Sequence, residues 1–108
     1  MSASLGHLEQ LVLLALIRLG DEAYGVTVRR ELAQRAKRKV SLATVYTTLV
    51  RLEAKGLVGS RMGDPTPQRG GRRKKHYTLE VSGKAALADS LRTIRQMTSG
   101  LDTAWDVG

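Results

Sequence analysis

The stretch that decides the fold is residues 41–58, SLATVYTTLVRLEAKGLV. Val45, Leu49 and Leu52 recur at the spacing of one helical face, which predicts an amphipathic helix. Ser41 is a good N-cap for this helix, and Gly56 is placed to end it. The opposite face is short, rich in hydroxyl groups and nearly without acid; it carries Ala43, Thr44, Thr47, Thr48, Arg51 and Ala54, with Tyr46 at its edge.

Two more helices are predicted on the N-terminal side of this stretch. Apolar residues between 5 and 19 recur at helical spacing and cover most sides of the predicted helix. Such coverage is typical of a helix that is buried or faces a second chain. Ser4 is the expected N-cap of this first helix. A second helix is predicted from about residue 23 to residue 36. Gly25 lies early in it, which suggests close packing against another backbone.

On the C-terminal side of this stretch, the spacing of apolar residues changes from helical to partly alternating. Residues 57–62 and 76–79 are short and partly alternating, which predicts two β-strands. The segment between them contains two prolines and three glycines and predicts a long loop, in which five of the last seven residues are basic. A last helix is predicted from about residue 81 towards residue 105, with apolar residues spaced close to the heptad seam of a coiled coil. The candidate dimer contacts are Leu5, Leu8, Leu87, Leu91, Ile94, Met97 and Leu101, and Trp105 continues the seam.

Positive charge is concentrated in one part of the chain. The sequence has 18 Lys and Arg against 10 Asp and Glu, a net charge of +8. Residues 28–76 hold fourteen of the basic residues and three acids, so this part alone carries all the excess. Such a concentration is typical of a domain that binds a polyanion, although a solvated basic surface that aids solubility is the simpler alternative.

Several classes of function have no support in the sequence. There are no cysteines, which excludes disulfides, cysteine-ligated zinc and thiol catalysis. His7 and His76 have no carboxylate or histidine at ligand spacing, so no metal site is expected. No phosphate-binding, dinucleotide or nucleophile motif occurs, and we expect neither an enzyme nor a cofactor. The longest apolar run, residues 11–17, is too short to span a membrane, and without a signal-peptide pattern a cytoplasmic protein is expected.

The order of these elements predicts a mainly α-helical protein with a small β-hairpin. The second and third helices form a helix-turn-helix and the hairpin forms a wing, within a DNA-binding domain of residues 1–80. Residues 81–108 form a dimerisation helix, and the two parts make one compact unit. The third helix fits the major groove and the basic loop can reach phosphates. The candidate DNA contacts are Ser41, Thr44, Tyr46, Thr47, Thr48, Arg51, Arg69, Arg72, Arg73, Lys74 and Lys75.

Four stretches also carry a resemblance to a known family. They are LGHLEQLVLLAL at residues 5–16, AYGV at 23–26, VYTTLVRLEAKGLV at 45–58 and GGRRKKHYTL at 70–79. Over residues 5–88 the chain resembles the PadR-family transcriptional regulators, and its short C-terminal part is similar to their compact subgroup with one terminal helix. The resemblance implies a homodimeric winged-helix repressor whose last helix crosses the partner subunit. Glu80 departs from the family pattern, which usually has a threonine there, and so does His76, where an aromatic residue is common.

Some individual roles stay open at this point. Tyr46 is either a DNA contact or a half-buried tyrosine, and Tyr24 is expected to pack against the third helix. Trp105 either anchors the dimer or forms the wall of a pocket for a small aromatic effector, because multidrug-binding members of the resembling family stack flat aromatic ligands on a tryptophan of the last helix. The alternative function is a winged-helix module for RNA or protein assembly without operator specificity.

Overall fold

Three helices, a two-stranded hairpin and a fourth helix follow one another along the chain, in the predicted order. The computed structural model describes residues 4–63 and 74–101. The expectation of a mainly helical protein with a small antiparallel hairpin is confirmed. The elements are α1 (His7–Leu19), a 3-10 turn (Gly20–Glu22), α2 (Gly25–Arg35), α3 (Leu42–Ala54), β1 (Val58–Met62), β2 (Lys75–Leu79) and α4 (Val81–Thr98).

Two helix ends differ from the sequence prediction. The N-cap of α1 is Gly6 rather than Ser4, because the Glu9 carboxylate accepts the Gly6 N–H at 2.8 Å and holds the first turn. Helix α4 ends at Thr98, well before residue 105, since Ser99 is extended and Gly100 takes a φ of +80°. Residues 102–108, which include Trp105, lie outside the described part of the chain.

The core is aliphatic and is built mainly by the first three helices. Val45, Leu49 and Leu52 of α3 are fully buried, as their spacing predicts. They meet fully buried residues of α1 and α2, so α3 is packed against both helices along one side. The other core residues are Val12, Leu13, Ala15, Leu16, Ala23, Val28, Leu32, Leu57, Val58, Tyr77 and Leu87.

The backbone of Leu57, just before β1, is hydrogen-bonded to the end of α3 and to the start of α4. Its N–H donates to the Leu52 carbonyl at 3.0 Å and closes the C-terminal turn of α3, where Gly56 has a φ of +76°. Its carbonyl accepts the Glu80 N–H at 3.0 Å, at the start of α4. Gly83 packs directly on that same carbonyl, where a Cβ atom would collide with backbone. Helix α4 therefore begins at Val81 although Glu80 caps it poorly, because the contact with Leu57 fixes its first turn.

The wing is tied to the helical part at its base. Strands β1 and β2 pair antiparallel, with Ser60 opposite Tyr77. The Tyr77 N–H also donates to the Ala23 carbonyl at 2.9 Å, and Tyr24 forms an isolated bridge with His76. The segment between α1 and α2 thus extends the hairpin on one edge. Among the described residues, no helix is both long and apolar enough to cross a membrane.

Candidate nucleic-acid interface

Helix α3 presents a polar outer face because its inner face is fully used by the core. Thr44, Thr47 and Arg51 are exposed, and Tyr46 is 39% exposed. Ser41 acts as the predicted N-cap: its hydroxyl accepts the Thr44 N–H at 3.0 Å and lies 2.9 Å from the Thr44 hydroxyl. The helix is thereby fixed at its start, and its outer side chains project from a rigid support.

Thr48 is not on this face, and its predicted position is wrong. It follows Val45 by three residues and precedes Leu52 by four, so it shares the buried stripe. Its side chain is 4% exposed, and its hydroxyl donates to the Thr44 carbonyl at 2.8 Å. Thr48 therefore belongs to the interior of the helix-turn-helix, where it satisfies its hydroxyl within the helix.

Val50 belongs to the outer face and was missed in the sequence analysis. It is 54% exposed, between Thr47 and Ala54 on the same side of the helix. Its spacing of three residues from Thr47 and four from Ala54 could have identified it. On a face predicted to enter the major groove, an exposed valine would offer an apolar contact for a thymine methyl group.

Tyr46 fixes the crossing of α2 and α3. A Cβ atom built on Gly25 would lie 2.6 Å from the Tyr46 hydroxyl oxygen, so only glycine leaves room for the ring. The expected close approach at Gly25 is present, but its neighbour is a side chain rather than backbone. Tyr46 is thus partly a packing residue with an exposed remainder on the outer face of α3.

The basic residues at the base of the wing are held by protein groups. Lys74 Nζ donates to the Tyr24 hydroxyl at 3.1 Å and lies 4.4 Å from the centroid of that ring. Lys75 Nζ lies 3.7 Å from Glu53 Oε1. Both lysines are exposed, so these contacts orient them and leave them accessible to a phosphate. The other predicted wing contacts, Arg69, Arg72 and Arg73, lie outside the described residues.

His76 connects the wing to the turn before α2. Its Nδ1 lies 3.0 Å from the Asp21 carbonyl, which accepts a hydrogen bond when Nδ1 carries a proton. The His76 ring meets the Tyr24 ring edge-on, with centroids 5.5 Å apart. Tyr24 therefore packs against the wing through Lys74 and His76, whereas the sequence predicts that it packs against α3.

An ion pair between Lys55 and the buried Glu9 holds the C-terminal end of α3 against α1. Lys55 Nζ donates to both Glu9 oxygens, at 2.9 and 3.1 Å. Burial raises the pKa of Glu9, but the Gly6 N–H, the Lys55 ammonium and the nearby charge of Arg51 outweigh it, so the pKa lies below its ordinary value. The end of α3 that carries Arg51 is thus fixed to the N-terminus of α1.

The predicted dimer contacts fall into three groups by burial. Leu87 is 4% exposed and packs in the protein's own core, so its assignment to the dimer seam is corrected. Leu5, Leu8 and Leu91 are partly buried against that core. Ile94, Met97 and Leu101 are 54%, 72% and 40% exposed and project from the second half of α4 and the residues after it. The described residues contain no cluster of side chains suited to a metal ion.

A helix-turn-helix with a tied wing is a DNA-binding arrangement, and comparison with known proteins gives its family. The profile of the PadR-like family of transcriptional regulators matches residues 13–89. The chain belongs to this family, whose members are DNA-binding regulators of transcription and not enzymes.

The chain is also similar to individual proteins. A PadR family transcription regulator of Clostridium difficile is 26% identical, with a TM-score of 0.74 over 91% of this chain and 97% of that one. BpsR of Bordetella bronchiseptica, whose DNA binding is regulated by 6-hydroxynicotinic acid, is 27% identical, with a TM-score of 0.68 over 96% of this chain and 68% of that one. An uncharacterized protein of Lysinibacillus sphaericus is 27% identical over 99 residues, 90% of this chain and 86% of that one.

The ion pair of Glu9 generates a test of stability against pH. Glu9→Gln should lower the free energy of unfolding at pH 7 by about 1–3 kcal/mol, because the partly buried Lys55 ammonium loses its partner. A lowered pKa means that the wild-type contribution is complete above the ordinary value of 4.5 and disappears as the pH falls through the lower folded value. Denaturant unfolding between pH 3 and pH 7 measures both effects.

The matched control is Glu31→Gln, which removes the exposed i,i+4 pair with Arg35. We expect this control to change stability by less than about 0.5 kcal/mol. Equal losses of unfolding free energy in the two variants would contradict a structural role for the Glu9–Lys55 pair. The same holds if Glu9→Gln loses as much stability between pH 7 and pH 3 as the wild type does.

Proposed function

We propose that the protein is a homodimeric repressor that binds a pseudo-palindromic operator. Two α3 helices would enter successive major grooves, about 34 Å apart along the duplex. The observation that carries this proposal is the outer face of α3. It exposes hydroxyl groups, one arginine and one valine, all on a helix whose inner side is fully buried. A dimer seated on an operator that overlaps a promoter excludes RNA polymerase, which is the simplest route to repression.

The homodimer is supported by the second half of α4. Ile94 and Met97 are exposed and three residues apart, so they form a stripe on one side of α4, and the exposed Leu101 follows just beyond the end of the helix. Contiguous exposed apolar side chains are typical of an interface. In a two-fold dimer the same stripe meets itself, which buries all three residues from both copies. Leu91 continues the stripe towards the core and would be shared by both contacts.

The alternative is a module for RNA or protein assembly without operator preference. The two functions differ in the ratio of affinities for a selected DNA sequence and for random duplex. An operator-binding regulator has a ratio of roughly 10³ or more, whereas an assembly module binds both alike. Selection of bound sequences from a random DNA pool supplies the operator for this measurement.

Arg51 tests base recognition directly. Arg51→Ala should weaken binding to the selected operator by about 1–3 kcal/mol and relax the preference at one base pair, because a bidentate arginine–guanine contact is lost. Arg18→Ala, an exposed arginine of α1, is the control for lost charge. Titrations on the operator and on a set of single-base variants give the result. A loss of the same size on every sequence would make Arg51 a backbone contact.

The dimer has its own test. Replacing Ile94 and Met97 together with aspartate should give a folded monomer, because both side chains are exposed in the single chain and like charges would face each other across the axis. Sedimentation measures the mass and circular dichroism the fold. Arg95→Asp with Gln96→Asp, on exposed positions between them, is the control and should remain dimeric. A folded dimer of the first variant would place the interface elsewhere.

A small aromatic effector completes the proposal, supported by the ligand-regulated relative from Bordetella bronchiseptica. Trp105 is the only tryptophan, so its fluorescence reports on a ligand near it. Titration with 6-hydroxynicotinic acid and other planar aromatic acids should quench this signal and weaken operator binding about 5- to 150-fold. Trp105→Leu should abolish the release of DNA. Equal release from this variant would leave Trp105 as a packing residue.

A further inference from the structure

A mainly apolar pocket of about 310 Å³ lies between α1 and α2. Its apolar lining consists of Leu11, Leu14 and Ala15 of α1, with Leu32 of α2 and Ala36 at the C-cap of α2. The lining residues are neither predicted DNA contacts nor predicted dimer contacts. The pocket is therefore a feature that the proposed function leaves unused.

The pocket has a buried floor and partly exposed walls. Ala15 and Leu32 are buried, whereas Leu11, Leu14 and Ala36 are only partly buried. Each alanine contributes a single methyl group, so the space between the leucines of the two helices is not filled. An apolar ligand that enters this space removes apolar surface from water, which favours binding. Among the described residues no aromatic ring lines the pocket, so an aliphatic chain suits it better than a ring that must stack.

Three charged residues stand at the rim of the pocket, and their charges do not cancel. Arg35 Nε donates to the Glu31 carboxylate at 2.8 Å, so these two residues already form a pair. Arg18, in the last turn of α1, is exposed and belongs to none of the ion pairs formed within the described chain. Two arginines against one glutamate leave a net charge of +1 at the rim. The planar guanidinium of Arg18 can donate two parallel hydrogen bonds to a carboxylate.

Size and charge together define the ligand class. At the roughly 30 Å³ that a water-sized group occupies, the pocket has room for about ten non-hydrogen atoms. A net positive rim above an apolar floor matches a single anionic group at the end of an apolar chain. A nucleic-acid strand does not match it, because a sugar and a further charge follow each phosphate where the pocket needs an apolar chain.

We propose that the pocket between α1 and α2 binds an aliphatic monocarboxylate of medium length, such as octanoate. The carboxylate pairs with Arg18 at the rim, and the alkyl chain lies over Ala15 and Leu32. This site is separate from the aromatic effector site proposed near Trp105, and its ligand has a different chemistry. The inference goes beyond the proposed function and does not depend on it, because binding is measured without DNA.

The experiment titrates the full chain with three probes at neutral pH, by calorimetry. Octanoate should bind at one site per chain. Acetate has the same carboxylate without the chain, and octylammonium has the same chain with the opposite charge. Both should bind at least about tenfold more weakly than octanoate, because each lacks one of the two contacts. If octylammonium binds as tightly as octanoate, the pocket does not select an anion and the inference is wrong.

Two variants of the rim should change the affinity in opposite directions. Arg18→Gln removes the unpaired guanidinium and should weaken octanoate binding about tenfold or more. Glu31→Gln releases Arg35 and removes the negative charge, so it should strengthen octanoate binding several-fold. Arg29→Gln, an exposed arginine of α2 outside the lining, is the matched control and should bind octanoate like the wild type. Equal affinities in all four proteins would overturn the inference.

The apolar part of the pocket has its own variant. Ala36→Leu leaves the charges unchanged and takes up the space of about two or more methylene groups, so it should weaken octanoate binding about tenfold. Octanoate should also shift the methyl NMR signals of Leu14 and Leu32 in the wild type. Circular dichroism checks the fold of each variant, and if Ala36→Leu is unfolded, the methyl signals and the rim variants decide. Bound octanoate that leaves both methyl signals unshifted lies elsewhere, which contradicts the proposed site.

A second copy of the chain would also fit an apolar pocket, and one comparison separates it from the carboxylate. The wild type is titrated beside the double variant Ile94→Asp, Met97→Asp, in which both exposed α4 side chains are replaced. If only the double variant binds octanoate, a partner covers the pocket in the dimer and the inference fails for the protein as it exists. A monomeric wild type that binds octanoate would instead contradict the proposed homodimer and support this inference.

Discussion

The arrangement of this protein depends on the backbone N–H and carbonyl groups of Leu57. Its N–H closes the last turn of α3, its carbonyl receives the first turn of α4, and Gly83 allows α4 to approach that carbonyl without a side chain between them. The Leu57 side chain is 5% exposed, so the junction is anchored in the core as well. Helix α3 therefore ends, and the wing and α4 begin, at one shared place in the structure.

The surfaces that we propose to face bases and phosphates differ in how firmly the protein holds them. Helix α3 is held at its start by Ser41, along its length by the core, and at its end by Leu57 and the Glu9–Lys55 pair. Its outer side chains are therefore positioned in advance, as the proposed base recognition requires. Lys74 lies at the edge of the sheet and is oriented by one hydroxyl group and one ring. A phosphate contact tolerates this looser support because it carries no base identity.

The sequence predicted most of the fold, because caps, helical period and glycines are local signals. Ser41 and Gly56 mark the ends of α3 within two residues, and the buried stripe between them was identified correctly. The errors have local causes too. Thr48 was assigned to the outer face although its spacing from Val45 and Leu52 places it inside. The Glu9–Lys55 pair joins residues 46 positions apart, and the Tyr24–Lys74 contact 50, so neither leaves a local pattern in a single sequence.

The sequence prediction for α4 was also incomplete. Its single row of apolar residues packs on the core in the first half of the helix and is exposed in the second half. A heptad-like spacing indicates only that the apolar side chains of α4 share one side of the helix. Leu87 is used by the core because Gly83, one turn earlier, brings α4 onto Leu57. Beyond Leu91 no described element of the same chain covers the stripe, which is why Ile94 and Met97 remain exposed. In the proposed dimer these two residues set the position of the partner, while Gly83 sets the position of α4 on the core. The proposed distance between the two α3 helices, and hence the spacing of the operator half-sites, would then depend on the length of α4 between Gly83 and Met97.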